Sequence, residues 1–393
     1  MSGDFKQKLR DYKDGKLSEE ERTELERELE KMEAYQSFLD EMMDGEDRFG
    51  QKACPEESEA EKKKYKREAR LLRKGKWKAR IGTAFTLIGF FIGFTILCSI
   101  GTAIFYQAGD PGYEEINRDV VKSAFAVGYP NVVVQPSSNA GSYFNMKISG
   151  KMIKRVGDEH MEVGDFTANY WFEWLRLNHV EWKDMFSASK GYFQFPGYQG
   201  SDSSSEWKRL EKLPEGTVAE AYVSYKKLYS TDDFLKRFEG KPYDPLWFAV
   251  DNGDSNIKRD YGLVISPVGF PAIPVWHPGD GKVTEGPKRK VGWFVTMRSS
   301  STSYPPIDTY GSGPLREENF IKSLHILNRH KKAAASLVPF VDFKETLDYI
   351  EKNGVKIYGA VVTGPTKEIL KLKEDPEVSA IRIGEVALWN WRE

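Results

Sequence analysis

Residues 81–106, IGTAFTLIGFFIGFTILCSIGTAIFY, decide the architecture of this chain, because none of these 26 residues is charged. A helix of this length reaches roughly 39 Å at about 1.5 Å per residue, which exceeds a hydrocarbon core of about 30 Å. A buried core helix is the alternative, but so long an uncharged run beside a dense group of cations is rare in soluble folds. The run therefore predicts one transmembrane helix.

The charges on either side of this run indicate its orientation. Residues 62–80 hold eleven Lys or Arg and one acidic residue, whereas Asp110, Glu114 and Glu115 precede Arg118 on the other side. The positively charged flank of a spanning helix stays in the cytoplasm. The sequence thus predicts a cytoplasmic N-terminus and an extracytoplasmic domain over residues 107–393. The run also begins too late and is too long for a cleaved signal peptide.

The basic stretch is typical of a topology signal that also contacts anionic lipids. Nucleic-acid binding is the alternative, but no base-reading module accompanies it, so no direct nucleic-acid partner is predicted. The chain has two cysteines, Cys54 and Cys98. The large C-terminal part can therefore hold no internal disulfide, which suits a bacterial exported domain, and two cysteines so far apart make no metal site.

Residues 1–43 predict a small α-helical cytoplasmic head. Ser18 with Glu21 forms a capping-box pattern for its second helix, after a break at Asp14-Gly15. The apolar residues follow helical spacing and form a narrow seam: Phe5, Leu9, Tyr12, Leu25, Leu29, Met32, Leu39 and Met42 or Met43. Residues 17–47 hold thirteen acidic residues against three basic ones, so the seam runs along an acidic rod.

About forty residues are too few to bury this seam internally. The seam could bind a groove on another protein, or it could pair with a second copy of the chain in a coiled coil. The third alternative is that the head is a weakly ordered acidic tail without a partner. The acidic charge favours a basic partner surface. Residues 44–80 predict a linker that is first polar and then basic. Gly89 and Gly93 form a GxxxG pair, so a homodimer through the membrane helix is also open.

The outer domain mixes helical and strand-like patterns, which predicts an α+β fold. Helices are expected over 113–126, from Thr231, over 315–327 and over 343–350. Strands are expected over 131–135, 143–148, 218–225, 246–250 and 291–295. The end of the chain predicts strand, helix and strand over 355–362, 365–373 and 378–388.

Catalytic signatures are weak throughout this domain. None of its five histidines lies in HExxH, and GxSxG, P-loop and GxGxxG motifs are absent from the sequence. The pattern SxxK occurs at Ser187, Ser205, Ser224 and Ser255 without a following KTG, which indicates chance matches. No catalytic residue, metal or cofactor is predicted. An aromatic group, Tyr170, Trp171, Phe172, Trp174 and Trp182, is interpreted as core packing, with a stacking platform for a sugar or cell-wall fragment as the alternative.

Several stretches resemble a known family. Residues 62–106 are similar to the N-terminal region of bacterial sigma-factor regulators, and 217–224, 246–251 and 358–364 onward are similar to their C-terminal domain. The family is that of the membrane anti-sigma factors typified by the anti-sigma-M factor of Gram-positive bacilli. The resemblance implies that the head sequesters an extracytoplasmic-function sigma factor until envelope stress reaches the outer domain, with no catalysis. It also implies a small membrane co-regulator in some members.

The resemblance assigns sigma-factor binding to the seam, namely Phe5, Leu9, Tyr12, Leu25, Leu29, Met32, Leu39 and Met43. Zinc-bearing relatives carry His and two Cys where this chain has Glu28, Met32 and Tyr35. The departure predicts a metal-free head. The runner-up function is a membrane-anchored cell-envelope binding protein or wall enzyme that acts through the outer domain.

Overall fold

The computed structural model describes residues 59–183, 192–198, 202–254, 257, 260–290 and 296–389, and separate positions between 23 and 37. The chain forms two compact units, residues 1–88 and 89–393.

Helix α1 extends over Glu59–Gln107 and contains the predicted span. The basic stretch is thus helical and continuous with the apolar run. Phe85, Phe90, Leu97 and Ile104 are each more than 60% exposed, so the apolar part of α1 is not the core helix of a soluble fold. It is long and apolar enough to cross a membrane, as predicted.

The first sheet of the outer domain follows helix α2, Tyr113–Gly128. Its strands are β1 (Val133–Val134), β2 (Ser137–Ala140), β3 (Asn145–Val156), β4 (Glu159–Trp171) and β5 (Trp174–Trp182). The order is β1-β3-β4-β5, with β2 also paired to β3, and each pairing is antiparallel. Sequential hairpins therefore place the β2–β3 and β4–β5 turns at the same end of this sheet.

The second sheet has the order β10-β8-β13-β7-β14. Its strands are β7 (Thr217–Tyr229), β8 (Asp244–Val250), β10 (Gly269–Pro271), β13 (Ile357–Pro365) and β14 (Val378–Leu388). Both β13 and β14 pair antiparallel with β7, one on each side. The segment between them holds helix α8, Thr366–Leu370, and the 3₁₀ turn Lys371–Glu374. The predicted strand–helix–strand end of the chain is confirmed.

Helices α5 (Gly313–Arg329), α6 (Lys331–Leu337) and α7 (Phe343–Asn353) complete the core with α2. Phe320 of α5 packs on Phe270 of β10, with ring centroids 5.0 Å apart. The indole Nε1 of Trp247 donates to the carbonyl of Ala126 in α2 at 2.7 Å. Asp342 caps α7 by accepting from two backbone amides of its first turn. The helices therefore cover the second sheet.

The remaining elements are short or peripheral. They are α3 (Ser204–Lys212), α4 (Thr231–Lys236), β6 (Phe193–Gln194) paired with β9 (Leu263–Val264), and β11 (Lys282–Lys290) paired with β12 (Thr296–Ser303).

The predicted helices of the outer domain are confirmed, with bounds that differ by a few residues. Two predicted strands begin later than expected. The strand predicted over 143–148 begins at Asn145, because Tyr143 and Phe144 have φ of 59° and 58° and form a turn. The strand predicted over 131–135 keeps only Val133–Val134, since Asn131 has φ of 57°. The strand predicted over 291–295 lies outside the described residues.

Candidate functional site

The head carries the residues to which sigma-factor binding is assigned. Its described positions between 23 and 37 are helical. Leu25 is buried, with 3% of its surface exposed, whereas Met32 seven residues later is 49% exposed. Residues seven apart lie on one helical face, so Met32 extends the seam as accessible apolar surface. The other predicted residues, Phe5, Leu9, Tyr12, Leu29, Leu39 and Met43, lie outside the described residues.

Carboxylates dominate the rest of this helical stretch. Glu26, Glu28, Glu30 and Glu33 are exposed. The two cations between them, Arg27 and Lys31, offset half of that charge. A basic surface would be attracted to this stretch at long range, with an attraction that falls as salt is added.

A second feature is the junction between the C-terminal part of α1 and the β2–β3 turn. Three hydroxyls at helical spacing on α1 bond to three consecutive residues of the turn. The pairs are Thr95 Oγ1 with Tyr143 Oη at 2.7 Å, Ser99 Oγ with Ser142 Oγ at 2.8 Å, and Thr102 Oγ1 accepting from the Phe144 amide at 2.9 Å. We call this ladder, together with Tyr106, the helix–turn junction.

Tyr106 closes the junction at the end of α1. The single proton of its buried hydroxyl is shared between the carbonyls of Phe144 at 2.9 Å and Phe172 at 3.0 Å, and so joins the two turns at this end of the first sheet. The ring of Phe105 lies against Phe144, Phe172 and Tyr113, with centroid distances of 5.9, 5.3 and 5.0 Å. The last turn of α1 is therefore held by the β2–β3 turn, the β4–β5 turn and the start of α2.

The turn residues adopt an uncommon backbone conformation. Tyr143, Phe144 and Phe172 all have positive φ, which bulky residues seldom adopt. Such conformations persist only where surrounding contacts determine them. Here they bring the rings of Phe144 and Phe172 into a stacked pair, 4.4 Å apart, against α1. The uncommon backbone conformation of these turn residues therefore brings their rings into contact with α1.

We predict that Tyr106→Phe lowers the free energy of unfolding of the outer domain by about 1–3 kcal/mol, since two carbonyls lose their donor. Tyr170→Phe is the matched control, because the buried Tyr170 hydroxyl has no partner among the described residues. That change should be neutral. Urea unfolding of the full-length protein in detergent, followed by intrinsic fluorescence, measures both. Equal losses for the two variants would contradict the role given to the Tyr106 hydroxyl.

A buried ion pair links the two sheets. Lys154 Nζ on β3 lies 3.0 Å from Glu220 Oε2 on β7, and Glu220 is fully buried. Asn131 Nδ2 donates to Oε1 of Glu220 at 2.8 Å, and the backbone amide of Glu385 donates to Oε2 at 3.2 Å. Burial alone would lower the pKa of Lys154, but the negative charge of Glu220 and hydrogen bonds to Glu220 and Tyr222 outweigh it and raise that pKa. Lys154 is therefore charged at neutral pH.

A buried histidine joins three further segments. His277 Nδ1 lies 2.9 Å from Asp119 Oδ1 of α2, and its Nε2 lies 3.0 Å from Ser323 Oγ of α5. The imidazole thus lies between a carboxylate and a serine hydroxyl, as it does in a Ser–His–Asp triad. However, all three residues are at most 4% exposed, and Ser323 Oγ donates to the Asn319 carbonyl. A serine that is buried, and whose hydroxyl proton is bonded to a backbone carbonyl, is suited to holding α2 and α5 together rather than to attacking a substrate.

Sequence reasoning found the apolar helix but missed both the junction and the buried clusters. Thr95 and Tyr143 are 48 residues apart, and His277 is 158 residues from Asp119. No local motif signals such pairs. The hydroxyls at helical spacing, Thr95, Ser99 and Thr102, were the one available clue to a polar face on the membrane helix.

Two family models match the chain. The sigma factor regulator N-terminal model matches residues 69–161, and the sigma factor regulator C-terminal model matches residues 210–385. The chain belongs to the sigma factor regulator family, as the resemblance implied. The helix–turn junction lies within the first matched region, and Glu220 lies within the second.

The chain is also similar over its whole length to a curated relative. That relative is the probable anti-sigma-M factor YhdL of Bacillus subtilis (strain 168), with 28% identity over 400 residues that cover 100% of both chains. No solved structure matches the chain. The family is regulatory rather than catalytic, which agrees with the sealed Ser323.

Proposed function

We propose that this chain is a membrane anti-sigma factor that sequesters an extracytoplasmic-function sigma factor and represses its regulon until envelope stress reaches the outer domain. The observation that carries the proposal is the match of two sigma factor regulator models, the first of which contains the exposed apolar helix and the second of which covers most of the domain that follows. The full-length similarity to a probable anti-sigma-M factor supports it.

The proposed topology places residues 1–80 in the cytoplasm and residues 107–393 outside. The cations of residues 62–80 support this orientation, because they would face the anionic cytoplasmic leaflet. An exposed basic helical surface is expensive to translocate. The head would then be tethered at the inner membrane face, where it can hold a soluble partner away from the chromosome.

Capture would work by occlusion. The seam would cover apolar surface that the sigma factor uses for RNA polymerase core, while the acidic face would occupy a basic surface that otherwise contacts DNA. The complex would be stoichiometric, without turnover. A lipid bilayer and a sigma factor are the partners this requires, and a small membrane co-regulator and a homodimer through Gly89 and Gly93 are further proposals. A Cβ added at either glycine would meet no atom within 4 Å, which is compatible with helix approach there.

Through the helix–turn junction, a movement of the outer domain could be transmitted along α1 to the head. Because both sheet turns are bonded to α1, movement of the outer domain would move the outer half of the helix with it. A helix transmits rotation or translation along its length more faithfully than a loop. The proposed signal is therefore a displacement of α1, which changes how the tethered head presents its seam.

We predict that Met32→Asp weakens capture of the sigma factor by about 2 kcal/mol or more, because a carboxylate replaces apolar contact surface. Ala34→Asp is the matched control: it adds the same charge on the same helix, about half a turn from the seam. Capture of the purified sigma factor by immobilised full-length protein, titrated to give Kd, measures both variants. Equal Kd values for the two variants would show that Met32 is not on the binding face.

A further inference from the structure

A cleft opens beside the outer end of the membrane helix, at the membrane-proximal face of the outer domain. Its volume is about 410 Å³. It lies between the start of α2, the β4–β5 turn and the α5–α6 connection, and Tyr113 on its wall stacks on Phe105 of α1. We call it the membrane-proximal cleft.

The charge of this cleft is mainly positive. Arg329, Lys331 and Lys332 line it, are exposed, and form no ion pair with any residue that the structure describes. The carboxylate in the lining, Glu173, is engaged by the Tyr113 hydroxyl, and that hydrogen bond raises the pKa of Tyr113. Three cations and one carboxylate therefore face a space that solvent can enter, and the balance is positive.

A buried polar side chain lies in the wall of the same cleft. Asn117 lines it and is 6% exposed, yet its Nδ2 has no hydrogen-bond partner among the described residues. An unsatisfied buried donor is destabilising, so native proteins rarely retain one without reason. An oxyanion in the cleft would accept from Asn117 and neutralise the cations at once.

The helix–turn junction determines the position of the cleft along the membrane normal. Arg80 ends the cationic stretch, so the hydrocarbon core begins near Ile81. Residues 81–94 alone would span only about 21 Å, which is shorter than a core of about 30 Å. The span must therefore continue to about Ile100, past Thr95, to which Tyr143 is bonded. The β2–β3 turn consequently reaches the level of the lipid headgroups or just below it.

The side chains around the cleft suit that level. Trp174 lines it and is 63% exposed, and Trp171 lies 5.9 Å away, centroid to centroid. Arg176 covers the Trp171 ring at 5.5 Å. Exposed tryptophans with nearby cations are the side chains that favour the membrane–water interface. The nearest abundant oxyanion at this height is a phospholipid phosphate.

We propose that the membrane-proximal cleft binds the phosphate of an anionic phospholipid in the leaflet on the outer-domain side, with Arg329, Lys331, Lys332 and Asn117 as its ligands. Binding would hold the outer domain against the membrane and couple it to the charge and packing of that leaflet. The inference rests on the proposed membrane topology but not on capture of a sigma factor.

The test uses the full-length protein in nanodiscs of phosphatidylcholine, with or without about 30% phosphatidylglycerol. Hydrogen–deuterium exchange should show added protection of residues 328–334 and 172–176 when phosphatidylglycerol is present. Each cation near an anionic surface contributes about fivefold, so Lys331→Ala with Lys332→Ala should weaken the phosphatidylglycerol preference at this cleft about 25-fold.

The matched control is Lys236→Ala with Lys241→Ala, two exposed lysines near the opposite end of α5. Asp232 of α4 accepts from the Gly313 amide at 2.8 Å, and α5 is about 25 Å long, so these lysines lie far from the cleft. The control variant should keep the protection. Because exchange is followed segment by segment, lipid binding by residues 62–80 does not enter the readout.

Three results would overturn the inference. Protection of residues 328–334 that does not depend on phosphatidylglycerol would show that the cleft recognises no anionic headgroup. An equal loss of protection in both double variants would show that the protection depends on the overall charge of the protein and not on the cleft. The same protection by inorganic phosphate in detergent would assign the cleft to a free anion. Sigma-factor capture by the same nanodiscs, measured in parallel, separates failure of this inference from failure of the proposed function.

Discussion

Deletion of residues 1–50 is expected to leave the protein inserted in the membrane and to raise transcription of the controlled regulon about tenfold or more, as the whole capture interface is lost. Membrane insertion depends on α1 and the cations of residues 62–80, which the deletion leaves intact. The outer domain has its own core and its own contacts with the outer half of α1. Removal of the head therefore separates capture from anchoring.

The measurement is a reporter fused to a promoter of the cognate sigma factor, with the truncated chain as the sole copy in the cell. Immunoblots of the membrane fraction establish that its abundance equals that of the full-length protein. Ala34→Asp serves as the full-length control and should stay repressed. Repression that persists in the truncation would show that the outer domain or the helix, not the head, controls transcription.

The parts of the architecture that were predictable are those with a local physical signature. The apolar run of α1 is visible because none of residues 81–106 is charged. The C-terminal strand–helix–strand was visible because β13 is almost wholly apolar and β14 is rich in apolar residues, on either side of a short helix that starts after Pro365. Both signals come from neighbours in sequence.

The parts that were not predictable depend on pairs distant in sequence. The strand expected from Tyr143 starts two residues later because two aromatic residues take positive φ to reach α1. Their own propensity favours a strand, so the tertiary contact overrides it. The same holds for the aromatic group predicted to be core: Tyr170 is buried, but Trp174 is 63% exposed beside the membrane-proximal cleft.

The head remains a prediction from pattern. Leu25 and Met32 lie at helical positions with exposed carboxylates between them. Six of the eight assigned contact residues lie outside the described residues, so the binding face is defined by periodicity and by the family. The Met32→Asp and Ala34→Asp pair tests that periodicity directly.

The second large effect is expected at the buried pair between the two sheets. Lys154→Met should lower the free energy of unfolding by about 3–5 kcal/mol, because the fully buried Glu220 carboxyl would lose its cation. The hydrogen bonds from Asn131 and the Glu385 amide satisfy lone pairs of the carboxylate but do not neutralise it. Lys344→Met is the matched control, since the Lys344–Asp348 pair is exposed and such pairs contribute about 0–1 kcal/mol.

The double variant Lys154→Met with Glu220→Gln distinguishes a missing charge partner from a packing defect. If the cost of Lys154→Met arises from an unpaired carboxylate, removal of that charge should restore part of the lost stability, so the double variant should be more stable than Lys154→Met alone. If the cost arises from poor packing of methionine, the two losses should add. Because Lys154 belongs to the sheet whose turns hold α1 and Glu220 to the sheet beneath the helices, additive losses would mean that the two sheets are joined by packing rather than by this ion pair.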